Sequence, residues 1–291
     1  MRKKSREIIQ WERMLPEEFR GAFEKLPVVY LPLGTVEWHG EHDALGLDSL
    51  KAHALCIAAA KKSGGIVHPP LYGGMGGLDK PATVKIEPEH SWDNYLLRPW
   101  LEKLCSEFHR LGFKAVIMLT GHYGHNQQIV VREVAARMTE RLQIPVLGTP
   151  EYWLAHDVGY LGDHAGIGET SLLWYLEPDL VAIERIRNDP DYGKDGRIEA
   201  GASPELGKKY ADVIIDRLAK LAQAMPTWDE TKRTAFVRAE QALIAAQVRG
   251  WRIDHPWAAW RKISSGELTS YGQSLVEEHF DQIETFAREL L

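Results

Sequence analysis

Short continuous apolar runs alternate along the first two-thirds of the chain with longer stretches whose apolar residues recur at helical spacing. That alternation predicts a parallel sheet flanked by helices. Residues 28–33, Val-Val-Tyr-Leu-Pro-Leu, read as a buried strand that stops at Gly34. Residues 48–63 read as a helix with Leu50, Leu55, Ala58 and Ala59 near one face, ended by Gly64-Gly65. Ile66-Val67 starts a short strand, and residues 91–111 predict a helix capped by Ser91 with a kink or break at Pro99. The clearest strand is 115–119, closing at Gly121; a helix over 126–142 and a third core strand over 144–147 follow. Residues 169–176 form a short predicted helix, and Ser203-Pro204-Glu205 is a good start for one running to about Ala224. Two further helices, over 230–249 and 273–290, are joined by a segment rich in tryptophan (Trp251, Trp257, Trp260). The expected fold class is α/β, a layered α/β/α arrangement with a mainly parallel sheet, over residues 1–225. Residues 226–291 are expected to be a helical C-terminal extension, packed on that domain or on a neighbouring subunit.

Composition narrows the function classes. The 291 residues carry 35 basic and 41 acidic side chains, a net charge of −6, which offers no bulk attraction to nucleic-acid backbones. Two cysteines, Cys56 and Cys105, make no disulfide framework and point to a reducing compartment. The basic N-terminus lacks the apolar stretch of a signal peptide, and no window approaches a membrane span. The expectation is a cytoplasmic enzyme or small-molecule binder without nucleic-acid or membrane partners.

Chemistry concentrates in three loops that follow predicted strands or open helices. The first, residues 33–48, holds Glu37, His39, Glu41, His42, Asp43 and Asp48 just past the first strand. Open α/β sheets gather ligand sites at that strand edge. Glu37 and His39, two apart, project to one side in extended backbone, and Asp48 at a helix start can fold back toward them. Two carboxylates and an imidazole converging suit a divalent ion such as Zn, Mn or Fe. The second loop, residues 120–126, adds His122, Tyr123 and His125 after the strongest strand, with Asn126 suited to cap the next helix. The third, residues 163–171, adds Asp163, His164 and Glu169 among glycines, with Trp153 and Tyr160 near it as candidate pocket walls. The glycine-rich run 72–77 lacks a Gly-Lys-Ser/Thr, so it is read as a mobile loop near the substrate rather than a phosphate loop.

Together the three segments resemble the creatininase (creatinine amidohydrolase) family of metal-dependent hydrolases. The shared features are strand-Gly-x-x-Glu-x-His-Gly-x-His with a downstream Asp, then Gly-His-x-x-x-Asn, then His-Ala-Gly-x-x-Glu-Thr-Ser, in order over residues 28–171. The resemblance implies a layered α/β fold with one or two divalent ions per chain at the strand ends. It implies Glu37, His39, Asp48 and His122 as ligands, with Asp48 as the bridge, and Glu169 as a further acidic member of the site. It implies His164 as the group that handles protons, and assembly into a homo-oligomer, frequently a hexamer. One departure stands out: the family's glutamate two residues after the second-motif histidine is Gly124 here, which shifts that ligand onto Glu169 or onto water.

The expected activity is hydrolysis of a small polar cyclic amide-type C–N bond by metal-activated water, with His164 and Glu169 as catalytic groups. Tyr123, His125, Trp153 and Tyr160 are the candidate substrate contacts. The alternatives are hydrolytic C–C cleavage of a cyclic diketone such as an oxidised inositol, a non-catalytic metal or metabolite sensor, and a scaffold built on the C-terminal helices.

Overall fold

Four parallel strands in the order β2-β1-β3-β4 form the centre of the molecule. The computed structural model describes residues 8–88, 95–193, 196–254 and 270–289, with side chains of 250–254 left aside. In chain order the elements are α1 (Pro16–Lys25), β1 (Val28–Leu33), α2 (Leu47–Ser63), β2 (Ile66–Val67), α3 (Leu97–Arg110), β3 (Ala115–Thr120) and α4 (His125–Leu142). There follow β4 (Val146–Pro150), α5 (Ile167–Leu176), α6 (Arg197–Gly201), α7 (Pro204–Ala224), α8 (Glu230–Asp254), α9 (Tyr271–Val276) and α10 (Phe280–Glu289).

The sheet is buried on both faces, which is why its strands are continuous apolar runs rather than alternating ones. Val28, Tyr30, Ala115, Ile117 and Leu119 face one layer with Leu55 of α2 and Ile214 and Leu218 of α7. Val29, Leu31, Val116 and Met118 face the other, with Leu101 and Cys105 of α3 and Val130 and Val134 of α4. The first of these cores runs without interruption into the C-terminal helices through Phe236, Leu243, Tyr271, Phe280 and Ile283. The described extension therefore packs on its own domain.

Several local expectations shift. Pro99 falls in the first turn of α3, where its missing N–H costs nothing, so it breaks nothing; Ser91 lies outside the described residues. Asn126 is not a cap, because α4 begins at His125 after Gly124. The third core strand starts at Val146, and its pairing with Val116 begins only after Pro145. The helix expected over 273–290 is two helices, separated where Glu278 takes φ 61°. Ser203 caps α7 as expected, its hydroxyl accepting from Leu206 N–H at 3.2 Å. Trp257 and Trp260 lie outside the described residues, as does the side chain of Trp251.

Candidate metal centre

The strand order brings the loops after β1 and β3 side by side, because β1 and β3 are hydrogen-bonded neighbours in register from Val28↔Ala115 to Leu33↔Thr120. α2 starts on the same edge. Its first turn lies so close to the end of β3 that a Cβ at Gly121 would come within 2.1 Å of the Asp48 carbonyl oxygen. Only glycine permits that approach, and it delivers the Asp48 side chain between two imidazoles.

Asp48 Oδ1 lies 3.3 Å from His39 Nε2, and Asp48 Oδ2 lies 3.1 Å from His122 Nδ1. Glu37 Oε2 is 3.0 Å from His122 Nδ1, and Glu169 Oε2 is 4.0 Å from His39 Nε2. All five side chains are buried. Two ligand-sized groupings result, Glu37–Asp48–His122 and His39–Asp48–Glu169, sharing Asp48; a third joins Glu37 and His39 to His164.

The imidazoles are arranged as metal ligands are. His39 Nδ1 is 3.0 Å from the Glu37 carbonyl and His122 Nε2 is 2.7 Å from the Met75 carbonyl. A carbonyl only accepts, so each of these nitrogens carries the donated proton, and the opposite nitrogen faces the carboxylates. Glu37 Oε2 and His39 Nε2, although surrounded, have no hydrogen-bond partner. Buried polar atoms left so, aimed at one another across carboxylates, fit a cation between them.

Burial alone would lower the His39 pKa, but Asp48, Glu169 and Glu37 raise it to about 9. The same opposition leaves His122 well above its ordinary value, through Asp48 and Glu37. Burial likewise opposes ionisation of Asp48, yet the two imidazoles hold its carboxyl far below the usual range. Left to these carboxylates, both imidazoles carry their second proton at neutral pH, and an incoming cation replaces it. Metal titration calorimetry at pH 7, in two buffers of different protonation enthalpy, should show release of about two protons when both groupings fill. Affinity should fall as pH drops through neutrality. No proton release would mean the imidazoles are already neutral.

The third loop is the strained one. His164 and Ala165 take φ 39° and 56°, left-handed values that are costly without glycine. Asp163 holds the loop by accepting from Gly168 N–H at 2.8 Å and Glu169 N–H at 3.0 Å. Ala165 N–H in turn donates to Glu169 Oε2 at 2.7 Å. This places the His164 ring 4.5 Å from the His39 ring, with His164 Nε2 at 3.1 Å from the Trp38 carbonyl.

The glycine-rich run is tied to the centre rather than loose. Met75 accepts from His122 and donates its N–H to Gln127 Oε1 at 2.7 Å, while Leu78 N–H donates to Glu37 Oε1 at 2.6 Å. At Gly124 a Cβ would sit 2.7 Å from His122 Nε2 and 2.9 Å from the Met75 carbonyl oxygen, so no side chain enters there.

Of the four candidate substrate contacts, two adjoin the centre and two do not. The Tyr123 and Tyr160 hydroxyls are 2.6 Å apart and both reach Glu151 Oε1, at 2.6 and 3.3 Å. They lie beneath Glu169 rather than around an open pocket. His125 is buried against α8, where it meets the backbone of Gln247 and burial lowers its pKa to about 4. Trp153 is buried under the Arg132 guanidinium, 3.9 Å from its ring, and packs edge-on against Tyr271. Both sit in the helical layer because the first turn of α4 and the turn after β4 face the C-terminal helices. A surface groove of about 600 Å³ lined by Lys62, Asp216, Lys220 and Gln273 lies on the α7–α9 side and contains none of these residues.

Two buried members of the site escaped the sequence reading. Lys51 Nζ contacts Glu169 Oε1, lies 3.0 Å from Glu151 Oε1 and donates to the Tyr123 hydroxyl at 2.8 Å. Lys51 falls three residues after Asp48, hence on the same face of α2. Glu151 directly follows β4, at the edge where the other loops lie. Helix phase and strand-end position were the signals available for the two.

Residues 12–222 match the family model described as Creatininase: Creatinine amidohydrolase. The chain is 29% identical over 189 residues to creatinine amidohydrolase of Pseudomonas putida, covering 56% of this chain and 69% of that protein. It is 28% identical over 172 residues to the mycofactocin precursor peptide peptidase of Mycolicibacterium smegmatis, covering 55% of this chain and 62% of that protein. A solved creatininase mutant of zinc–zinc type superposes with TM-score 0.61 at 21% identity, covering 75% of this chain and 98% of its own.

Proposed function

The chain belongs to the creatininase family, and from that premise we propose that it is a metal-dependent hydrolase opening a small polar cyclic amide-type C–N bond at the strand-end cluster. The observation that carries this is Asp48, whose two carboxylate oxygens face two histidines, each anchored through its other nitrogen to a backbone carbonyl. Glu37, Asp48 and His122 would hold one divalent ion, and His39, Asp48 and Glu169 a second. Imidazole and carboxylate donors without thiolate suit Zn, Mn or Fe, and the zinc–zinc type of the solved relative puts zinc first. Ions bound there would lower the pKa of a water and polarise a carbonyl.

The remaining chemistry falls to the chain's own side chains. Gly124 leaves no room for a carboxylate on the second loop, and Glu169 brings one from α5 instead. Trp38 takes the Nε2 proton of His164, leaving Nδ1 to accept a proton and pass it to the departing nitrogen. Burial first, and then the neighbouring His39, lowers the His164 pKa, so the ring rests neutral and ready to accept.

Metal analysis on protein purified without chelator, paired with a turnover screen of creatinine, small lactams, formamidopyrimidines and keto-inositols, tests the proposal. Bound metal with turnover of a C–N substrate supports it, and turnover of a keto-inositol alone reassigns the bond to C–C. No metal after Zn, Mn and Fe are offered overturns it. His164→Ala should keep its metal while kcat falls about 100-fold or more, the scale of a lost general acid. Unchanged turnover would place the proton transfer on another group.

A further inference from the structure

The two groupings that share Asp48 are unequal, and the difference comes from one lysine. Glu37 spends Oε1 on the Leu78 N–H and keeps Oε2 without a hydrogen bond, facing His122. Glu169 has no oxygen to spare: Oε2 accepts from Ala165 N–H and Oε1 is in contact with the Lys51 ammonium. Lys51 is fully buried, with Glu151 Oε1 at 3.0 Å, the Tyr123 hydroxyl at 2.8 Å and the Tyr123 ring 4.2 Å from Nζ. No water competes for that ammonium inside the core, and it cannot swing away without abandoning two carboxylates. A divalent ion at His39–Asp48–Glu169 therefore draws on a carboxylate already shared with a cation and meets that cation's repulsion. An ion at Glu37–Asp48–His122 meets neither.

We propose that Lys51 sets the occupancy of the centre: it makes the Glu37–Asp48–His122 position the tight one and the His39–Asp48–Glu169 position weak and exchangeable. Lys51 is here a positioning residue that acts through Glu169. The inference rests on the metal-centre proposal above and goes beyond it, because a two-ion site built from these ligands alone has no reason to fill unequally in this order. The consequence is an enzyme whose full complement depends on the free metal concentration around it.

Binding, not turnover, tests this. Chelator-stripped full-length protein is titrated with Zn²⁺ and, separately, Mn²⁺ by calorimetry, and metal is counted by elemental analysis after dialysis against metal-free buffer. The expected wild-type result is one retained equivalent and a second that binds weakly and dialyses away. Lys51→Met should tighten the second equivalent by about 10- to 100-fold, the range of coupling between close charges in a desolvated site, and leave the first within a few-fold. Lys51→Met also strands Glu151 without its cation, so Lys51→Met/Glu151→Gln, which neutralises the buried pair together, is measured beside it. Glu37→Gln should remove the retained equivalent and spare the weak one. Two equally retained ions in the wild-type protein, or a second affinity untouched in both lysine variants, would overturn the role of Lys51 and leave the metal centre standing. Retention of the first equivalent in Glu37→Gln would overturn the order of the two positions. Failure of the wild-type protein to bind any ion would overturn the centre itself and this inference with it.

Discussion

Asp48→Asn should empty the centre. Each Asp48 oxygen faces a different histidine, 3.3 Å from His39 and 3.1 Å from His122, so one substitution removes the shared anion from both positions. An amide offers one neutral oxygen and one nitrogen that cannot ligate. Bound metal should fall to roughly a tenth of the wild-type content or less. Turnover should fall by about a thousand-fold or more, beyond the 10- to 100-fold typical of losing a group that only supports a ligand. Asp43→Asn is the matched control: Asp43 is also buried, but it accepts from the Thr170 hydroxyl at 2.7 Å and lies in neither grouping. It should keep its metal. A full complement in Asp48→Asn, measured by elemental analysis on protein with wild-type circular dichroism, would remove Asp48 from the bridging role.

What the sequence made legible follows from how each residue is used. β1 and β3 were visible because strands buried on both faces carry no polar residues to blur them. Glu37, His39, His122 and Glu169 were visible because acids and imidazoles just past such strands, or at the first turn of a helix on that edge, have few bland roles in such numbers. Lys51 was hidden because a lysine within a helix normally faces water, and only the three-residue step from Asp48 marks its inward phase. Glu151 was hidden by the misplaced end of β4: Pro145 brings no N–H to the ladder, so pairing runs on to Pro150 and puts Glu151 at the active edge. His125 and Trp153 were misjudged for a related reason. Nearness in sequence to a motif says nothing of which layer a helical turn faces, and here both turns face helices that no motif announces.

Those helices carry the second large effect. Arg132 of α4 and Glu240 of α8 form a fully buried ion pair, guanidinium to carboxylate at 2.6 Å. The Tyr271 hydroxyl closes the network, donating to Glu240 at 2.9 Å and accepting from Arg132 at 3.1 Å, while Trp153 covers the guanidinium face. Glu240→Gln leaves a buried cation without its counter-charge, at a cost of about 3–5 kcal/mol. For a chain of this size that should lower Tm by roughly 10 °C. Arg132→Met/Glu240→Leu, which removes both charges, should recover most of the loss, because the desolvation of two ions disappears along with their attraction. Thermal melts followed by circular dichroism, with metal content measured at 20 °C or so, separate this from an effect on the centre: folded Glu240→Gln should still hold its metal. A Tm within about 2 °C of wild type would mean that water reaches the guanidinium and the pair is not a buried one. The family match ends at residue 222, yet this network lies largely beyond it and locks Trp153, two residues from the Glu151 that partners Lys51. The extension thus acts on the centre through packing, by fixing the turn after β4 against α8 and α9, and its loss should be read first in stability and only then in chemistry.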